Sequence, residues 1–191
     1  MNWANRLTVA RFFLTLLFVA ALSLELPYSR TGALILFLVA SVTDWVDGHI
    51  ARNYGMITDF GKLMDPLVDK IMMAAAFICL VPLGAFPAWI VVIIISREFL
   101  ITGLRLLALS NGQVLAAESL GKHKTAWQIV TVVFYMVLLS LAECIAGAQD
   151  SSWWAFAWSH VGAAVLAIAV ILTIWSGLGY VWKNRAIIRP E

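Results

Sequence analysis

Six apolar stretches, at about 6–26, 31–53, 62–83, 87–108, 122–146 and 153–183, each approach or exceed the length that crosses a lipid bilayer. A membrane helix needs roughly 20 residues at about 1.5 Å per residue. In lipid, the backbone of such a run must satisfy its own hydrogen bonds, and a helix does so within one segment. The chain is therefore predicted to be all-α: one domain over 1–191, built as an integral membrane bundle of six transmembrane helices. Composition agrees, with 62% hydrophobic and 13% charged residues against about 45–50% and about 25% in soluble domains. The breaks carry Pro27, the prolines and glycine of 81–87, Gly112 and Gly147. No repeat or low-complexity tract interrupts the pattern. The first 27 residues resemble a signal peptide, with Arg6 and Arg11 before an apolar run. No small-residue cleavage site follows, so an uncleaved first helix is expected.

Basic residues favour the cytoplasmic side of a membrane. With the N-terminus inside, twelve of the 13 Lys and Arg fall on the inner half and only Arg30 falls outside. Both termini are thus predicted to be cytoplasmic. Glu25, Glu143 and Asp150 lie on the outer side, where acidic residues carry little topological weight. Trp153, Trp154 and Trp158 suit an interfacial belt. Cys79 and Cys144, with no CxxC, are read as lone buried thiols, a disulfide between their helix ends being the alternative. No basic stripe with interleaved aromatics points to nucleic acid.

Against this background TDWVDGHIARNYGMITDFGKLMDPLVDK (43–70) is anomalous. Segment two is cleanly apolar only over 31–43, so it must run through Asp44 and Asp47 to span. Segment three, beginning at about 61–63, carries Asp65 and Asp69 in its first turns. Each pair shares a helical face, at i, i+3 and i, i+4, and the loop between brings both pairs to one depth. Burying an Asp in a membrane costs about 2.5–3.5 kcal/mol at the centre, and four together repel. Arg52, Lys62 and Lys70 are too few and scattered to neutralise a compact cluster. All-oxygen ligands select hard cations, so Mg²⁺ or Mn²⁺ is expected in preference to zinc. The alternative is a set of ordinary helix-end aspartates. Gly48, Ala51 and Gly61 leave room for a ligand near the backbone, with Arg52 beside them as a phosphate partner. Pro66 fits only the first turn of segment three or a kink, and Asp59 reads as a solvated loop residue.

The spacing Asp44-x2-Asp47-Gly48-x2-Ala51-Arg52-x8-Gly61-x3-Asp65-x3-Asp69 resembles the full signature of the CDP-alcohol phosphotransferases. That resemblance implies a six-helix membrane enzyme, a homodimer, moving a phosphatidyl or related group from a CDP-activated donor to an alcohol with release of CMP. It implies two metal ions held by Asp44, Asp47, Asp65 and Asp69, with Asp69 the general base. Gly48, Ala51, Arg52 and Gly61 would line the CDP site.

A second set of cations bears on the acceptor. Arg97 lies in IVVIIISREFLITGLR, deep enough to need a partner. Glu98 is one candidate, but neighbouring helix positions diverge, and a bound phosphate serves better. Arg97, Arg105, Lys122 and Lys124 together suit a phosphomonoester. SREFLITGLR, GKHKTAWQ and NRLTVARF resemble the bacterial branch of the family that joins CDP-diacylglycerol to glycerol 3-phosphate, giving phosphatidylglycerophosphate. Through NRLTVARF, Asn5 and Thr8 become donor-site residues. That resemblance implies an enzyme of the bacterial inner membrane, its site facing the cytoplasm and its donor's acyl chains among the membrane lipids.

A phosphatidylinositol phosphate synthase would also want a basic pocket and is the nearest alternative. Intramembrane carboxylates also mark ion pathways, but a divalent-cation transporter needs polar residues leading outward. Segments three and four are almost wholly apolar over 71–83 and 87–96, and no outer vestibule is evident in the sequence. A purely structural membrane protein would not require the aspartate spacing. His49, His123 and His160 are read as interfacial or outer residues, not as ligands.

Overall fold

A computed structural model describes residues 3–24, 26–54, 59–110, 112–113, 115 and 119–185, with side chains for all of these but 3–5, 45–54, 59–63, 119–120 and 122. Every regular element among them is helical. They are α1 (Trp3–Ser23), α2 (Ser29–Tyr54), α3 (Asp59–Leu80), α4 (Ala88–Ser110), α5 (Ser119–Cys144), a 3₁₀ turn (Ala148–Asp150), α6 (Ser152–Phe156), a π turn (Ala157–Val161) and α7 (Gly162–Lys183). The last three run on as a single rod, matching the sixth apolar stretch. Arg6–Ser23, His123–Cys144 and Ser152–Lys183 are long and apolar enough to cross a membrane among the described residues. Helices α2, α3 and α4 reach 26, 22 and 23 residues but also carry the charges discussed below.

Helix α1 packs along α2 and α3, α2 packs on α5, and α7 lies against both α4 and α5. The core fills one half of the bundle. Phe18, Phe37, Phe77, Leu80, Phe86 and Met136 are almost wholly enclosed there. Ring contacts run from Phe77 through Phe86 and Tyr135 to Trp158, at centroid separations of 5.4, 5.6 and 5.0 Å. Trp154 stacks on Trp158 at 4.8 Å, so two members of the expected belt anchor the final rod to α5. Close approach of that rod to α5 requires Gly162: a Cβ there would lie 2.6 Å from the Tyr135 hydroxyl.

Beyond this core Glu143, near the end of α5, closes the start of α2. Its carboxylate accepts the backbone N–H groups of Arg30 and Thr31 at 3.0 and 2.9 Å and the Thr31 hydroxyl at 3.0 Å. The first N–H groups of a helix have no partner inside it and attract negative charge. A glutamate more than a hundred positions away fills that need.

Several expectations are corrected. Helix α3 begins at Asp59, so Asp59 opens a helix and is not a loop residue, and Pro66 stands two turns in, beyond the first turn. Cys79 and Cys144 are both free, and Cys144 is exposed where a buried thiol was expected. The core-side end does contain a hollow, about 980 Å³, lined by Ser23, Ser29, Arg30, Cys79 and Glu143 among others. The enclosed aromatic core lies between it and the charged half of the bundle.

Candidate active site

The charged residues gather at the opposite end from Glu143, and they form two adjoining regions. The first is built by α1, α2 and α3. Thr8 and Arg11 stand one turn apart on α1 and face Asp65 and Asp69, one turn apart on α3. The Thr8 hydroxyl donates to Asp65 Oδ1. Arg11 Nη1 donates to Asp69 Oδ1 at 2.7 Å and pairs with Asp44 Oδ1 on α2 at 2.8 Å. Arg11 is 1% exposed. A guanidinium this enclosed needs charge partners, and two of the signature aspartates supply them.

Arg11 is thus the residue that sequence reasoning misplaced. It was counted only as a topological charge, whereas it sits between two members of the acidic cluster and joins α1 to it. Thr8 and Arg11 stand at helical spacing in NRLTVARF, but that spacing by itself does not say which helix they face. Thr8, expected at the donor site, engages Asp65. Asn5 lies on α1, Asp47, Gly48, Ala51 and Arg52 on the last turns of α2, and Gly61 on the first turn of α3. The side-chain environments of these six fall outside the described residues.

No three His, Cys, Asp or Glu side chains among the described residues form a metal-holding group. Asp44 and Asp69 nevertheless present oxygens to one cationic nitrogen, and Asp65 presents its own to a hydroxyl. This is a hard, all-oxygen donor set that draws positive charge between its carboxylates, and it fits Mg²⁺ or Mn²⁺ chemistry. His123 and His160 are exposed; His160 hydrogen-bonds the neighbouring Ser159 hydroxyl at 2.8 Å and stacks on Phe156 at 4.9 Å.

The second region is a cavity of about 520 Å³ between α3, α4, α5 and α7. Among the described residues, Lys70, Arg97, Arg105 and Lys124 line it with one carboxylate, Glu98. Glu98 Oε1 accepts from Arg97 Nη1 at 3.1 Å and from Lys124 Nζ. Adjacent helix positions do meet here, because the long Arg97 side chain turns back along α4. Lys70 donates to the Thr102 hydroxyl, itself bonded to the Glu98 carbonyl. Arg105 Nε donates to the Tyr180 hydroxyl at 3.2 Å. Lys124 is 3% exposed. Three of the four predicted acceptor residues, Arg97, Arg105 and Lys124, therefore share one cavity. Lys122 lies on α5 with its side chain outside the described residues.

Lys70, Thr102 and Tyr180 carry no spacing signal in the sequence that marks them for this cavity. Lys70 follows Asp69, yet neighbouring positions on a helix diverge by about 100°. Asp69 turns to α1 and Lys70 to α4. A further cavity of about 380 Å³ joins the two regions, touching Asp69 together with Lys70, Glu98, Arg105, Lys124 and Gln128.

Comparison with known proteins gives one consistent result. The family model described as CDP-alcohol phosphatidyltransferase matches residues 1–175. A Bacillus subtilis protein named CDP-diacylglycerol–glycerol-3-phosphate 3-phosphatidyltransferase is 38% identical, the match covering 100% of this chain and 98% of that protein. A Rickettsia bellii protein of the same name is 33% identical over 94% of this chain and 93% of its own. A Mycobacterium tuberculosis protein named probable phosphatidylglycerophosphate synthase is 36% identical over 94% and 80%.

Proposed function

Because the chain belongs to the CDP-alcohol phosphatidyltransferase family, we propose that it is an enzyme moving the phosphatidyl group of CDP-diacylglycerol to glycerol 3-phosphate. The products are phosphatidylglycerophosphate and CMP. The names of full-length relatives at 38% and 33% identity support this donor and acceptor. The observation that carries the reading is the junction of the two regions: one cavity touches Asp69 on its acidic side and Lys70, Arg105 and Lys124 on its basic side. Transfer between a cation-bearing pyrophosphate and an anionic alcohol needs such a meeting of opposite charge.

Asp44, Asp47, Asp65 and Asp69 would hold two divalent ions, Mg²⁺ or Mn²⁺, which when bound clamp the donor pyrophosphate and stabilise charge on the leaving CMP. Gly48, Ala51, Arg52 and Gly61 line the cytidine diphosphate. Arg97, Arg105, Lys122 and Lys124, with Lys70, hold the acceptor phosphate by charge-assisted hydrogen bonds. Asp69 takes the proton from the C1 hydroxyl of glycerol 3-phosphate. The oxygen attacks the phosphorus that bears the diacylglycerol, the P–O bond to CMP breaks, and CMP departs with that electron pair. Arg11 keeps Asp69 and Asp44 oriented towards this point. The bundle spans the bacterial inner membrane six times, with both termini and the site on the cytoplasmic side, and acts as a homodimer. Acyl chains remain in the bilayer, which is why phosphoryl transfer is sited at the end of a membrane bundle.

The test is CMP release by purified protein in detergent with CDP-diacylglycerol and Mg²⁺, offering glycerol 3-phosphate, inositol 1-phosphate or serine in parallel. Release with glycerol 3-phosphate alone, abolished by EDTA, is the expected result. Release with inositol 1-phosphate alone would keep the chemistry and replace the acceptor. No release with any acceptor would overturn the reading.

A further inference from the structure

Helix α7 contributes no charged group to the basic cavity, yet two of the arginines there rest on it. Arg97 Nη2 donates to the Ser176 hydroxyl at 3.1 Å. Its aliphatic stem lies over Gly177: a Cβ built on that glycine would come within 2.9 Å of Arg97 Cγ. One turn later Arg105 Nε donates to the Tyr180 hydroxyl at 3.2 Å, and its guanidinium carbon stands 5.5 Å from the Tyr180 ring centre. Ser176 and Tyr180 are both 2% exposed. The same face continues at Thr173, which accepts from Gln128 of α5 at 3.0 Å.

We infer that the Ser176–Gly177–Tyr180 face of α7 is a positioning surface for the acceptor site, one that fixes Arg97 and Arg105 for a phosphomonoester without touching the reacting atoms. The inference rests on the proposed reading of the cavity as the acceptor site. Its physical basis is the long, rotamer-rich arginine side chain, which loses considerable freedom when it grips an anion. A guanidinium already held by a neutral hydroxyl and an aromatic face loses less of that freedom on binding. An acidic partner would do the same only by competing with the phosphate for charge. Ser176 and Tyr180 hold the guanidinium groups without adding negative charge beyond Glu98, which Arg97 already shares with Lys124. Gly177 sets the depth of Arg97, because the stem must lie flat against the α7 backbone to bring the head to Ser176. The contrast with Glu98 is chemical: among the described residues its carboxylate is the one negative group in the cavity lining.

The experiment compares wild type with Gly177→Ala, Tyr180→Phe and Tyr180→Leu in the CMP-release assay, varying glycerol 3-phosphate and CDP-diacylglycerol separately. Inorganic phosphate serves as a competing anion. Gly177→Ala is expected to raise KM for glycerol 3-phosphate about tenfold, and Tyr180→Phe several-fold, as for loss of one hydrogen bond to a charged group. Tyr180→Leu, which also removes the ring, should exceed Tyr180→Phe. The concentration of phosphate needed to inhibit should rise in parallel. KM for CDP-diacylglycerol and kcat should stay within about twofold of wild type, the mark of uniform ground-state binding. Unchanged acceptor KM in Gly177→Ala and Tyr180→Phe would overturn the inference. So would a fall in kcat, a rise in both KM values and a lowered thermal midpoint together, since that pattern describes a packing role alone. If wild type releases no CMP with any acceptor, the proposed function fails, and thermal stabilisation by inorganic phosphate decides the rest. Weaker stabilisation in the variants than in wild type keeps the inference; equal stabilisation, or none in wild type, ends it.

Discussion

The acidic and basic regions adjoin, but they are assembled in opposite ways. Asp44, Asp47, Asp65 and Asp69 come from one stretch of 26 consecutive positions, so two consecutive helices, α2 and α3, carry them. Arg97, Arg105, Lys124, Lys70 and Tyr180 come from four helices spread over more than a hundred positions. The acidic region is a local motif braced from outside by Thr8 and Arg11 of α1. The basic region exists only when α3, α4, α5 and α7 are packed. A local motif keeps its spacing when distant packing loosens, whereas an assembled cavity loses its geometry at once.

That contrast can be broken most sharply at Asp69. Asp69→Asn leaves the basic cavity intact and should cut CMP release by about 10²–10⁴-fold, the usual loss for a general base. A rate reduced to that extent with an unchanged glycerol 3-phosphate KM would separate the two regions kinetically. Removal of divalent ions by EDTA should abolish turnover too, with recovery on adding Mg²⁺ or Mn²⁺. Restored turnover without any divalent ion would refute the hard-cation reading of the acidic region.

Arg11→Met comes next. Asp44 and Asp69 keep 44% and 40% of their side chains exposed, so losing Arg11 costs less than the ~3–5 kcal/mol of a fully buried pair, and the thermal midpoint should fall by a few degrees. Melting in detergent, with and without Mn²⁺, checks it. A midpoint equal to wild type would show that Asp44 and Asp69 do not depend on α1. Arg105→Met should then raise KM for glycerol 3-phosphate about 10–100-fold, the loss of hydrogen bonds to a charged group, while KM for CDP-diacylglycerol stays near wild type. Comparable rises in both constants would mean that the two regions bind one substrate between them. The smallest effect is expected at the opposite end: Cys79→Ser with Cys144→Ser should leave activity and melting unchanged, since neither is bonded to the other.

The acidic region was largely legible in the sequence because its chemistry is encoded by short spacings. Helical period alone puts Asp65 and Asp69 on one face, and the alternation of apolar runs with turns puts Asp44 at the same end of the bundle. Arg11 was not assigned there because nothing in the spacing within 43–70 points to α1. A lone arginine before an apolar run reads equally well as a topological anchor. Pro66 shows a second limit: proline chemistry favours the first turn, whereas the helix, expected from about 61–63, begins at Asp59 and carries Pro66 two turns in. Lys70 shows a third. In one dimension it belongs with Asp69, but the 100° step of the helix turns it to the other region.

By itself the sequence determined an all-helical chain, the approximate helix boundaries, the shared face of Asp65 and Asp69 and the family to which the chain belongs. These follow from apolar length, residue period and motif spacing, all of them properties of nearby positions. Tertiary structure alone decided that Arg11 bridges Asp44 to Asp69, that Glu98 holds Arg97 and Lys124, that Glu143 closes α2, and that Ser176, Gly177 and Tyr180 carry two arginines. Each of these joins different helices or depends on how far a flexible side chain reaches. Such contacts are fixed by the rotation and approach of packed helices, which no local spacing records.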